Sequence, residues 1–143
     1  MLKCYNEIIP NLFLGDQYST GVVHKDVIDH IFSIGAISKS REIPNTHTQL
    51  KDSKDVNIED NLDYILPIMH EMMENKKRIL VHCKAGINRG PCFVMAYLCK
   101  YKNMSVEQAE KLILSKRKIC KFLQKKQVEQ YLKNDIDQYI LGE

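Results

Sequence analysis

The chain has 143 residues, a formal net charge of +3 and five cysteines. That length allows one domain, residues 1–143, whose core needs no staples, while an odd cysteine count with no CxxC pair argues against a disulfide framework or a zinc site. No apolar run approaches membrane-spanning length, and the charge is too weak to argue for nucleic acid by itself, though it agrees with a mildly attractive field for anionic ligands.

Glu7 to Gly15 reads as an opening strand region, punctuated by Pro10 and Gly15. A second strand is expected at Val27 to Ile34 and a third, more polar, at Thr46 to Leu50. Asn57 then looks like a helix cap, ahead of Leu62, Ile65, Leu66, Met69, Met72 and Met73 at helical spacing. Pro67, inside that pattern, should kink the helix or start a new one, since it removes a backbone bond and crowds the preceding turn. Arg78 to His82 is a short, largely apolar run of the kind that makes a buried fourth strand, and Pro91 to Lys102 reads as a helix. Ser105 and Gln108 make a capping box for a helix carrying Val106, Ala109, Leu112 and Ile113. In the last helix Val128, Tyr131, Leu132, Ile136, Tyr139 and Ile140 form one apolar stripe. Strands separated by helices, then an all-helical C-terminal half, imply a single α/β domain. Its central, mostly parallel twisted sheet is flanked by helices on both faces. Ligands bind such sheets beyond the carboxyl ends of the strands.

The stretch His82-Cys83-Lys84-Ala85-Gly86-Ile87-Asn88-Arg89-Gly90 falls at that end, between the fourth strand and the helix that follows. A loop wound tightly before a helix N-terminus points successive N–H groups into one concavity, which with the helix dipole forms an anion site. Cys83 at its floor would feel the same positive field. Thiols so placed have pKa values lowered from about 8.5 to roughly 3.5–7.5. Arg89 can fork onto two oxygens of a phosphoryl group and stabilise charge there, which lysine does less well. Lys84, Ala85, Gly86, Ile87 and Asn88 contribute backbone donors by position, and Gly86 suits the tight turn.

This string resembles the signature loop of the cysteine-dependent protein tyrosine phosphatases, His-Cys, five residues, then Arg, and its Lys-Ala-Gly interior is most like the dual-specificity branch. The resemblance covers nearly the whole chain. Asn11-Leu12-Phe13-Leu14-Gly15 resembles that family's first conserved strand, and Ala96-Tyr97-Leu98 with Met104-Ser105-Val106-Glu107-Gln108-Ala109 resembles a later helix pair. Ile87-Asn88 and the tail from Phe122 to Leu132 look more like the poxvirus-encoded members than the common cellular ones.

The resemblance implies a protein phosphatase working through a phosphocysteine, with no cofactor and no metal. Its expected partner is a phosphorylated protein, while the cysteine usage and the lack of a spanning run point to a reducing, cytoplasmic setting away from membranes. Because the chain is shorter than classical tyrosine phosphatase domains, the pocket should be shallow and admit phosphoserine and phosphothreonine as well as phosphotyrosine. Cys83 would be the nucleophile, Arg89 the phosphate clamp and His82 a support that hydrogen-bonds nearby backbone. In the family an aspartate upstream protonates the leaving oxygen. Asp52 matches that position through its spacing to Asn57 and Ile58, ahead of Asp55.

Gly90 departs from the family, which carries Ser or Thr after the arginine to hydrogen-bond the cysteine sulfur as it departs. Turnover of the phosphoenzyme is therefore expected to be slow. Two other functions stay in view. One is RNA 5′-triphosphatase, suggested by Ile87-Asn88 and opposed by Lys84-Ala85; the other is a phosphate-binding module with little turnover. Lipid phosphatases would carry a second lysine where Ile87 stands. The basic cluster Lys116, Arg117, Lys118, Lys121, Lys125 and Lys126 reads as a solvated face, or as a dock for an acidic partner. Cys92 is a packing residue or a redox partner of Cys83.

Overall fold

The computed structural model describes residues 3–51 and 56–141, the last six by their backbone alone. Five strands form one sheet in the order β1-β2-β5-β3-β4. β1 (Tyr5–Ile9) and β2 (Leu12–Gly15) pair antiparallel; β2 with β5 (Ile79–His82), β5 with β3 (His30–Ile34) and β3 with β4 (Asn45–Thr48) are all parallel. The mostly parallel sheet expected from the sequence is therefore present, with one antiparallel edge.

The opening strand region is two strands rather than one. Pro10 and Asn11 turn the chain between them, with Asn11 in the left-handed region at φ 74 and its N–H held by the Glu7 carboxylate at 3.1 Å. The other expected strands fall in place but shorter. The second begins only at His30, and the third runs from Asn45 to Thr48, ending before Leu50.

Four long helices carry the larger core. They are α2 (Glu59–Glu74), α3 (Arg89–Tyr101), α4 (Val106–Lys116) and α5 (Lys125–Leu141). Between β2 and β3 lies α1 (Ser19–Val22), a single turn that no sequence pattern announced. It belongs to the chain segment whose Val23 and Ile28 join Ile31, Ile43 and Leu80 in a second, smaller core.

α2 runs unbroken through Pro67. Leu62, Ile65, Leu66 and Met69 are buried while Pro67 and Asp63 are exposed, so the carbonyl that proline deprives of a partner is left to water. Asn57 serves α2 from one residue outside its N-cap, accepting from the Glu59 N–H at 2.9 Å. The Ser105–Gln108 capping box of α4 forms with both of its hydrogen bonds. In α5, Val128 and Tyr131 are buried; the side chains of Ile136, Tyr139 and Ile140 lie outside the described residues.

α3 is buried along Arg89 to Leu98, on every face. A helix apolar all round needs neighbours all round, and α3 packs against β2, β5, α2, α4 and α5. Its N-terminus is thus fixed where β5 delivers the chain.

Candidate active site

All four residues of β5 are buried, with a parallel strand on each side, so Cys83 emerges from the centre of the sheet at its carboxyl edge. The thiol residue is 2% exposed. Six residues later Arg89 opens α3, itself only 4% exposed.

The loop between them sends five of its carbonyls outward, each onto a partner. The Cys83 carbonyl faces Nδ1 of His82 at 3.3 Å, and that of Lys84 accepts from the Gln17 N–H at 3.0 Å. The Gly86 carbonyl accepts from Arg117 Nε at 3.1 Å and lies 3.8 Å from the Cys120 thiol. Those of Ile87 and Asn88 accept from the N–H groups of Lys121 and Cys92 at 2.8 and 3.1 Å. A loop so occupied on its outer side keeps its N–H groups for the inner one. Gly86 has φ +69, and a Cβ there would lie 2.7 Å from Arg117 Nη2 and 2.8 Å from the Gly15 carbonyl oxygen. No other residue fits.

His82 has no exposed surface. Its Nε2 lies 2.6 Å from the Ser33 hydroxyl, and burial pulls its pKa down to about 4, so the ring is neutral at pH 7. The Ser33 hydroxyl donates to Asn45 Oδ1, also at 2.6 Å, so it bridges the His82 ring and β4. The ring lies against the backbone carbonyl at the start of the loop. Ser33, on β3 beside it, was not legible as its partner, because only the register of β3 with β5 brings the two together.

Arg89 Nη1 donates to the carbonyls of Gly35 and Leu50, both at 2.8 Å, which locks the guanidinium plane between the ends of β3 and β4. Gly35, at φ +66, is required for that approach: a Cβ would collide with the Leu50 carbonyl and with Nη1. Beside Arg89 opens a cleft of about 370 Å³, lined by Ile37, His47, Gln49 and Lys51 among others. Asp52 and Asp55 lie outside the described residues.

Gly90 is buried against the thiol. An added Cβ would stand 3.6 Å from Cys83 Sγ and 3.0 Å from Leu14 Cδ1, the movable tip of a side chain. The hydroxyl absent from this position would have had the sulfur within reach. Cys92, by contrast, sends its thiol to Gln124 Oε1 at 3.9 Å, and burial pushes its pKa up to about 12. A thiol held so firmly protonated is a poor resolving group.

The basic cluster divides. Lys118, Lys121 and Lys126 are exposed and Lys125 pairs with Glu110 at 2.6 Å, but Arg117 is 4% exposed and turned into the fold. Arg117 therefore does not belong to the solvated face expected of the cluster. A charge flanked by lysines carries no local sign of burial, and only the packing of the α4 C-terminus against the loop reveals it. Among the described residues no group of His, Cys, Asp and Glu could hold a metal ion, and no helix is long and apolar enough to cross a membrane.

Residues 12–134 match the family model for the dual specificity phosphatase catalytic domain. The chain is 30% identical over 114 residues to 123R of Invertebrate iridescent virus 6, named as a tyrosine phosphatase, covering 79% of this chain and 80% of that protein. It is 31% identical over 117 residues to human dual specificity protein phosphatase 5, covering 78% of this chain but 30% of the relative, so it spans less than a third of that protein's length. Among solved structures, the human tyrosine phosphatase-like serine/threonine/tyrosine-interacting protein superposes with TM-score 0.85 at 23% identity, over 92% of this chain and 97% of that one. Human DUSP28 does so with TM-score 0.84 at 16% identity, over 92% and 94%. Both likenesses concern the fold.

Proposed function

The chain belongs to the dual specificity phosphatase catalytic-domain family, and from that membership we propose that it hydrolyses phosphotyrosine and phosphoserine or phosphothreonine esters on proteins through a phosphocysteine. The observation that carries this reading is the enclosure of Cys83 and Arg89 at the two ends of a loop whose carbonyls are tied outward.

In the first step the Cys83 thiolate attacks phosphorus as the bond to the ester oxygen breaks, and Asp52 gives its proton to that leaving oxygen. The support for Asp52 is that Leu50, two residues before it, is hydrogen-bonded to Arg89. Arg89, oriented by its Nη1 bonds to backbone, would fork onto two phosphoryl oxygens while the loop N–H groups hold the rest. In the second step water attacks phosphorus, its proton passes to Asp52, and the S–P bond breaks to release inorganic phosphate and the thiolate. The five cysteines are free, in keeping with a reducing, intracellular setting.

The test is release of phosphate from an aryl phosphate and from phosphotyrosine and phosphothreonine peptides. Wild type should turn over all three and Cys83→Ser none, with the fold retained by circular dichroism. Turnover by Cys83→Ser in a preparation free of contaminating phosphatase would overturn the assignment. Activity on triphosphate-ended RNA in place of the peptides would move the chain to the triphosphatase reading.

A further inference from the structure

Arg117 stands at the C-cap of α4 and is buried, yet among the described residues no carboxylate is paired with it. All its hydrogen bonds go to backbone or amide oxygens: Nε to the Gly86 carbonyl, Nη1 to the Lys3 carbonyl at 3.0 Å and to Asn6 Oδ1 at 3.1 Å. A buried cation with only neutral partners is costly to keep as a mere tie, since its charge goes uncompensated. Its contact with Gly86 suggests what it does.

The peptide group is planar and trans here, as everywhere among the described residues, so its C=O and N–H point in opposite directions. Holding the Gly86 carbonyl on the outer side of the loop therefore aims the Ile87 N–H at the inner side. The Gly86–Ile87 plane is the one most in need of holding. Gly86, with no side chain and φ +69, is the loop residue freest to let its peptide rotate, and a half-turn would put a carbonyl where the phosphate belongs. The next plane is held in the same sense, by the Lys121 N–H on the Ile87 carbonyl, which aims the Asn88 N–H inward.

We propose that Arg117 is a positioning residue of the phosphate loop: by holding the Gly86 carbonyl outward it presents the Ile87 N–H to the bound oxyanion, and its own charge, close behind the loop, favours that anion. The inference rests on the phosphatase reading only for the anion's identity.

The experiment uses tungstate, with the Ile87 backbone amide followed by NMR in wild type, Arg117→Met, Arg117→Lys and Asn6→Ala. In wild type that amide should shift on binding. Arg117→Met should bind tungstate about tenfold more weakly, lose the Ile87 shift and drop kcat/KM about tenfold, one directed hydrogen bond's worth. Arg117→Lys, whose ammonium can reach only part of the same set, should fall between, and it carries the test if Arg117→Met does not fold. Asn6→Ala removes one anchor of Nη1 but spares the Gly86 bond, so it should lower the melting temperature without changing tungstate affinity. Arg117 variants that are less stable yet keep the affinity within twofold and keep the Ile87 shift would make Arg117 a structural tie and overturn the proposal. A wild type without turnover whose Ile87 amide still responds to tungstate, and loses the response in Arg117→Met, would defeat the phosphatase reading while leaving this inference standing.

Discussion

Cys83 and Arg89 occupy an enclosed part of the molecule, and β4, which the expected general acid follows in sequence, is an edge. β5 is buried along its length between two parallel strands, and α3 is buried for its first ten residues. β4 pairs with β3 alone, and of its four residues only Thr48 is buried. The two sides meet at the Leu50 carbonyl on Arg89 and at the Thr48 carbonyl, which accepts from the Gly35 N–H at 2.7 Å. On the proposed mechanism the difference separates two tasks: anion binding belongs to the buried loop with its hydrogen-bonded carbonyls, and proton delivery to a residue that follows the edge strand in sequence.

The largest effect that would test this division is on the enclosed side. Arg89→Lys should lower kcat/KM by about 10³-fold or more, because an ammonium cannot hold the Gly35 and Leu50 carbonyls and also fork onto two phosphoryl oxygens. A loss under tenfold would show that the guanidinium geometry is not what matters. On the edge side, Asp52→Asn should cost about 10² to 10⁴ with alkyl phosphates, whose leaving groups are poor, and far less with activated aryl esters. Equal losses on both substrates would deny Asp52 the proton, and a leaving-group-dependent loss in Asp55→Asn would move the role there.

Stability against pH sharpens the comparison in a different currency. His82 stays neutral in the fold down to about pH 4, whereas in the unfolded chain it takes up a proton near its ordinary pKa of about 6.5. Its contribution is full above pH 6.5 and is lost as pH falls from there to about 4, a window worth up to about 3 kcal/mol. Thermal melts should show the decline beginning below pH 6.5, and His82→Gln should flatten it. Asp29, drawn down to about 2 by its hydrogen bonds to Arg78, acts in a lower window, its contribution lost as pH falls below the ordinary 3.8. A wild-type melting temperature unchanged between pH 7 and 4.5 would contradict the burial of a neutral His82.

Smallest in size is the effect at Gly90. A serine there would have its Cβ 3.6 Å from Sγ, at the expense of a few tenths of an ångström from Leu14 Cδ1. Gly90→Ser should raise the steady-state rate a few-fold to about tenfold and shrink the initial burst of leaving group, since one hydrogen bond to the departing sulfur contributes roughly 0.5–1.5 kcal/mol. No burst in wild type and no gain in the variant would place the slow step at the first chemical transfer.

The same contrast governs what the sequence reveals. The run Ile79 to Arg89 is legible because strand, turn and helix follow one another locally, and so is the Ser105–Gln108 box, which is complete within four residues. The hairpin of β1 and β2 looks like one strand in the sequence because apolar residues continue across a two-residue turn that Asn11 makes by adopting positive φ. Ser33, Gly35 and Arg117 escaped for another reason. Each meets the site across the sheet or from the end of a distant helix, through register and packing that no local pattern encodes.

The central claim is that phosphate passes through Cys83. Wild type mixed with an aryl phosphate, quenched within the first turnover and digested should yield the peptide containing Cys83 with a phosphoryl group on its sulfur, and Gly90→Ser should yield less of it. Rapid turnover with no phosphoryl group on Cys83, or with one on another residue, would contradict the account.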